Sequence, residues 1–120
     1  DLNFANLRYD TNSMTDQSGA PQNTKITFKT AGVYVVWGSC RWASDPTNQG
    51  LAIYTDAGGG TTIASVRNDA TNQRFEIVTT VWKFAANDYV TLQAFQETGG
   101  SLNTYVGSSY APEFAAQRIG

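Results

Sequence analysis

The side chains that run most enzyme chemistry are scarce in this sequence of 120 residues. There is no histidine. That removes the commonest general base, the commonest zinc ligand and the Ser–His and Cys–His nucleophile pairs. Cys40 is the only cysteine, so no Cys/His metal spacing and no intrachain disulfide can form. It lies in the apolar run Val33–Trp42, where a small buried hydrophobe is the expected role rather than a reactive thiol. Gly58-Gly59-Gly60 lacks the following Lys and Ser/Thr of a phosphate-binding loop and falls between two strand patterns. It reads as a turn.

Carboxylates remain as acid–base groups. A glycosidase needs two of them facing each other across a cleft. No spacing here singles out such a pair, and most Asp residues sit at turn signals, where the side chain bonds its own backbone. Asp45, Asp56 and Asp69 have the ligand type for calcium, set against the reading of solvated turn residues. No catalytic residue, metal ligand or cofactor is assigned. The aromatics Tyr9, Tyr34, Trp37, Trp42, Tyr54, Trp82, Tyr89, Tyr105 and Tyr110 could stack on sugar rings. Most fall inside strand patterns, where packing is the default role. Tyr105 and Tyr110 lie in or beside a loop and are the candidates for an exposed ligand-contact platform.

The elements that would position these groups are strands. Lys25–Lys29 alternates, with Ile26 and Phe28 on one face. A turn at Thr30–Gly32 leads into Val33–Trp42, which is apolar on both faces and so expected to be central. Leu51–Thr55 and Thr61–Arg67 flank the glycine turn. Arg74–Phe84 carries Phe75, Ile77, Thr79 and Val81 on one face, and Val78, Trp82 and Phe84 on the other. Asp88–Glu97, Leu102–Val106 and Glu113–Ile119 follow, with Asn6–Thr11 a weaker candidate near the start. No segment sustains a 3.6-residue period, and no linker or repeat divides the chain. The pattern predicts an all-β fold: an antiparallel two-sheet jelly-roll sandwich of eight or nine strands, one domain over 1–120, with 1–20 an irregular arm. Ile26, Phe28, Tyr34, Val36, Phe75, Ile77, Val90 and Leu92 are the expected core.

Bulk composition narrows the function classes. Charged residues make up only 15% and the net charge is −2. The basic residues Arg8, Lys25, Lys29, Arg41, Arg67, Arg74, Lys83 and Arg118 are scattered, so no stripe is present to neutralise phosphates and no nucleic-acid partner is expected. No run of about 18 apolar residues offers a membrane span. Hydrophobic residues, at 41%, suffice for a core without metal or disulfide staples.

Phe28-Lys29-Thr30-Ala31-Gly32-Val33-Tyr34-Val35-Val36 resembles the F-x-x-x-G-x-Y-x-hydrophobic signature of the complement globular-head and tumour-necrosis-factor-like jelly rolls. In that family the Gly permits a tight turn and the Tyr anchors the core. Phe84-Ala85-Ala86-Asn87-Asp88-Tyr89-Val90-Thr91-Leu92 resembles its L-x-x-G-D-x-V-x-L strand, with Asn87 in place of the Gly. Asn tolerates the left-handed conformation that the turn needs. Pro112–Ile119 is similar to the family's last strand. The fold-motif residues on this resemblance are Phe28, Gly32, Tyr34, Asn87 and Asp88.

The resemblance implies a homotrimer. Tyr89 and Phe95 are the expected residues at the threefold axis, with Val35 and Trp37 beside them, because each strand carries apolar residues on a face its own sandwich cannot use. The Thr-, Asn-, Gln- and Gly-rich loops look like those of bacteriophage virion proteins. Asn12, Asn23, Asn48, Asn72 and Asn103 all fail the glycosylation sequon of a secreted animal protein. The expectation is a non-enzymatic structural or binding protein of a virion: a capsid decoration, head fibre or tail-fibre tip. Its partners would be capsid or fibre proteins, or a host glycan or surface receptor. The alternatives are a free-standing carbohydrate- or receptor-binding module and an extracellular cytokine- or complement-like ligand.

Overall fold

The alternating segments pair into two antiparallel sheets. A computed structural model describes residues 1, 2, 4, 10, 13–15, 24–69, 75–105, 107 and 111–120. Seven strands occur among them: β1 Lys25–Thr27, β2 Gly32–Arg41, β3 Gln49–Thr55, β4 Thr61–Asn68, β5 Phe75–Phe84, β6 Tyr89–Phe95 and β7 Glu113–Arg118. One sheet has the order β1-β6-β3-β4 and the other β5-β2-β7. Only β3 and β4 follow each other within a sheet; every other connection crosses between layers. Gly58, Gly59 and Gly60 make the β3–β4 hairpin with φ of 66°, 95° and 94°, a left-handed run that other residues rarely adopt. No α-helix occurs among the described residues.

The strand number falls short of eight or nine for a local reason. β7 occupies the edge of β2 over Tyr34–Ser39. The segment around Thr104 is left with only the end of β2 to pair with. It makes one isolated bridge, Trp42 to Thr104, with Ala43 N–H donating to Asn103 O at 2.9 Å and Tyr105 N–H to Arg41 O at 2.6 Å. Nearly all of the Asn6–Thr11 candidate lies outside the described residues. So does most of the expected arm, although Leu2 N–H donates to Leu92 O at 2.8 Å and the Phe4 ring lies 5.8 Å from that of Phe114.

The core sits between the layers. Ile26, Phe28, Tyr34, Val36, Val90 and Leu92 are buried as expected, joined by Cys40, Leu51, Ile53, Val78 and Phe84. Phe28 stacks on Phe84 with centroids 4.0 Å apart, and Tyr34 tilts against Phe28 at 4.4 Å. Two expectations fail: Phe75 is 41% exposed and Ile77 57%. Both faces of β5 are apolar, so alternation by itself permits either to point inward. Pairing with β2 decides. Directly opposite residues share a face, and Cys40, Gly38 and Tyr34, which point inward, lie opposite Glu76, Val78 and Trp82. The odd-numbered residues of β5 therefore face out.

The motif turns are built differently at their two ends. Asn87 adopts φ 73°, Ala85 N–H donates to Asp88 Oδ2 at 2.7 Å, and Asn87 N–H donates to Phe28 O at 2.7 Å. Gly32, by contrast, is not left-handed. It opens β2, and a Cβ there would meet Gly120 O at 2.6 Å and Arg118 Nε at 2.5 Å. Crowding by the C-terminal segment, not backbone conformation, makes it glycine.

Gly38 on β2 faces Leu92 of the other sheet, and a Cβ there would meet Leu92 Cδ1 at 2.5 Å. Leu92 is fully buried and has nowhere to move. Gly38→Ala is expected to destabilise the fold by about 1–3 kcal/mol through overpacking, read as a lower denaturation midpoint in urea with an unchanged slope.

Candidate functional site

The chemistry-bearing side chains are dispersed and engaged in structure. Asp10 accepts from Met14 N–H at 3.0 Å and Thr15 N–H at 2.9 Å. Asp56 accepts from Tyr89 N–H at 2.7 Å, fastening the β3–β4 hairpin to β6. Glu97 accepts from Asn48 Nδ2 at 2.8 Å and faces Arg67 at 3.5 Å, while Asp69 lies 3.4 Å from the same guanidinium. Asp45, Asp56 and Asp69 are not gathered into a site: no group of three or more Cys, Asp or Glu able to hold a metal occurs among the described residues.

One end of the interlayer space is polar. Cys40 and Glu76 are directly opposite each other on β2 and β5 and are 1% and 5% exposed. Gln49 is fully buried at the start of β3, opposite the last residue of β4. Neither carboxylate oxygen of Glu76 has a hydrogen-bond partner among the described residues. Burial raises the Glu76 pKa above its ordinary value. Burial, and then the nearby Glu76 charge, push the Cys40 thiol up to about 11. At neutral pH Cys40 is a thiol with no access to solvent, which makes it a packing group and not a nucleophile.

The binding candidates are therefore on the surface, and the two sheets present unlike faces. On the four-stranded sheet, Tyr89 and Phe95 are half-buried, each beneath a cation. Lys25 Nζ lies 4.9 Å from the Tyr89 ring, and the Arg67 guanidinium lies 5.8 Å from that of Phe95. Gly50 leaves room for the Phe95 ring to lie on the sheet, since a Cβ there would collide with it. Val35 and Trp37 belong to the other sheet. They point outward and are half-buried between β5 and β7, with Val35 opposite Val81 and Gln117, and Trp37 opposite Thr79 and Ala115. Phe75, Ile77, Val81 and Ile119 extend this face, the last at 58% exposure. The four residues expected around one axis thus divide between opposite sides of the sandwich.

Tyr105 is 40% exposed, and the Arg41 guanidinium lies 4.9 Å from its ring. Phe75 is opposite Arg41 on the neighbouring strand. Two half-exposed aromatic residues thus lie at the end of β2, Tyr105 with its ring against the Arg41 guanidinium and Phe75 on the residue paired with Arg41. Tyr110 lies outside the described residues. Sequence reading missed Phe75, Ile77 and Val81 as surface groups. The available signal was that β5 is apolar on both faces while a sandwich strand buries only one.

Glu76 makes stability depend on pH. The unfolded chain releases this proton near the ordinary value of 4.5, whereas the folded chain holds it to higher pH. The folded state binds more protons in that window, so its stability falls as pH rises through the window and levels off above the folded value. Melting temperatures across that range are expected to show this loss in the native chain and not in Glu76→Gln, which cannot ionise.

The chain matches no known protein-family model and no curated protein, so its function is argued from its own residues.

Proposed function

We propose that this protein is a non-enzymatic structural and binding component of a bacteriophage virion: a trimeric jelly roll on the particle surface, acting as capsid decoration or fibre tip. The observation that carries the reading is the uncovered apolar face of the β5-β2-β7 sheet. Phe75, Ile77 and Val81 line its edge strand, with Val35 and Trp37 in its middle. Contiguous apolar surface of this kind on a small soluble domain marks a protein interface. The absence of histidine and the burial of Cys40 leave neither a histidine base nor an accessible thiolate nucleophile. Within this reading the threefold contact runs through Val35 and Trp37, not through Tyr89 and Phe95, whose rings are already covered by Arg67 and Lys25.

A second reading is favoured by the Phe75–Arg41–Tyr105 row. A half-exposed Tyr105 ring against the Arg41 guanidinium, with exposed Phe75 on the neighbouring strand, suits a sugar ring or a peptide side chain, which fits a fibre tip or a free-standing receptor-binding module. A glycan array separates these from a decoration protein: signal lost in Tyr105→Ala marks a receptor-binding role.

Light scattering coupled to size exclusion is expected to give three times the 13.0 kDa chain mass, and Trp37→Asp to shift it to the single-chain mass. A trimer unaffected by Trp37→Asp would reject the face. Mass spectrometry of purified phage particles is expected to recover the chain, and its absence from them would reject the virion reading.

A further inference from the structure

Six large hydrophobic side chains are exposed among the described residues, and four of them, Phe75, Ile77, Val81 and Trp82, lie on β5. This strand is also an edge. Its ten residues pair with β2 on one side and with no strand among the described residues on the other. The remaining edges are shorter or more polar. β1 has three residues, β7 six, and β4 exposes Thr61, Thr62, Ser65 and Arg67. Long edges that stay single are normally blunted by charge, proline or a bulge. Between Phe75 and Trp82 the only charge is Glu76, which points inward and is buried.

The exposed pattern of β5 is symmetric about Thr79. Reading outward from that residue, Val81 mirrors Ile77 and Lys83 mirrors Phe75. We propose that β5 pairs antiparallel with β5 of a second copy, centred on Thr79, and so joins two three-stranded sheets into one continuous sheet. On the outer face, each Ile77 then lies beside the other copy's Val81, and each Phe75 beside the other copy's Lys83. The first is a cross-strand pair of β-branched groups, the second a cation against a ring. On the inner face, Glu76 lies beside the other copy's Trp82. Cross-strand neighbours on one face are about 5 Å apart at Cβ, within reach of an indole N–H. The buried carboxyl that has no hydrogen-bond partner among the described residues gains a donor there.

Other registers do less. A twofold axis through the sheet keeps inner face on inner face, so the centre must be a residue. Centring on Thr80 sets Glu76 beside Phe84, which has no donor. Centring on Val78 pairs Phe75 with Val81 and sets Glu76 beside the Thr80 hydroxyl, but it sets Ile77 beside Thr79 and leaves Lys83 off the Phe75 ring. The Thr79 register alone pairs Ile77 with Val81, places Lys83 at the Phe75 ring and gives Glu76 an indole N–H.

This contact stands apart from the virion reading and from its threefold face, because it uses the strand edge. The test is disulfide trapping. Two Thr79 Cα atoms across such an axis are about 4.5–5.5 Å apart, within disulfide reach. Thr79 is exposed, and buried Cys40 does not compete. Under mild oxidation Thr79→Cys is expected to form a covalent dimer about tenfold or more faster than Thr62→Cys on the β4 edge. Ile77→Cys and Val81→Cys should each stay single alone and cross-link when mixed. Failure of Thr79→Cys to link, or equal linking by Ile77→Cys alone, overturns the register. Native mass separates the two contacts. A dimer supports the β5 pairing and rejects the trimer, and a trimer does the reverse. A hexamer supports both, and a single chain rejects both.

Discussion

Phe28 stacked on Phe84 is the contact on which the two layers depend. Phe28 follows the last residue of β1 in one sheet, and Phe84 ends β5 in the other. Their rings lie 4.0 Å apart and both are fully buried. Tyr34, on the central strand β2, closes the cluster and donates its hydroxyl to Thr30 O at 2.7 Å, so its polar end is satisfied while its ring is buried. Backbone bonds hold the pair in place, with Asn87 N–H donating to Phe28 O and Phe28 N–H to Asp88 O. The turn that follows β5 is thereby tied to the chain leaving β1. Stacking, turn geometry and strand order are one arrangement at this end of the sandwich.

The other end is organised by the opposite physics. Six residues beyond Tyr34 along β2, buried Cys40 faces buried Glu76. A carboxyl without a donor in the interior is costly in its charged form, because water has been removed and nothing replaces it. Keeping its proton lessens that cost. An aromatic end that is dry and satisfied thus stands against a polar end with an open hydrogen-bonding requirement. That requirement lies on β5, whose far side pairs with no strand among the described residues.

The surface divides along the same lines. Tyr89 and Phe95 on the four-stranded sheet have cations over their rings, which cover apolar area without a partner. The three-stranded sheet has no such cover over Ile77 and Val81. Exposed apolar side chains are therefore concentrated on the three-stranded sheet and its β5 strand.

Fold class was legible in the residues themselves. Period-two alternation, glycine and asparagine turns and the lack of helical periodicity prescribe an antiparallel sandwich, because side chains on a strand must alternate whatever surrounds them. The absence of histidine likewise limits chemistry before any folding is considered. The inward face of β5 was not legible. Phe75, Ile77 and Val81 alternate as well as Val78, Trp82 and Phe84, and only pairing with β2 breaks the tie. Gly32 could be read as a position for glycine, but its reason, the approach of Gly120 and Arg118, lies 86 or more residues away in the chain. Tyr89 and Phe95 could be read as outward-facing, but not as covered, since their cations come from other strands. Local pattern specifies that a strand forms and where it turns; which face is buried, and what surface remains bare, depends on distant residues that only the tertiary structure brings together.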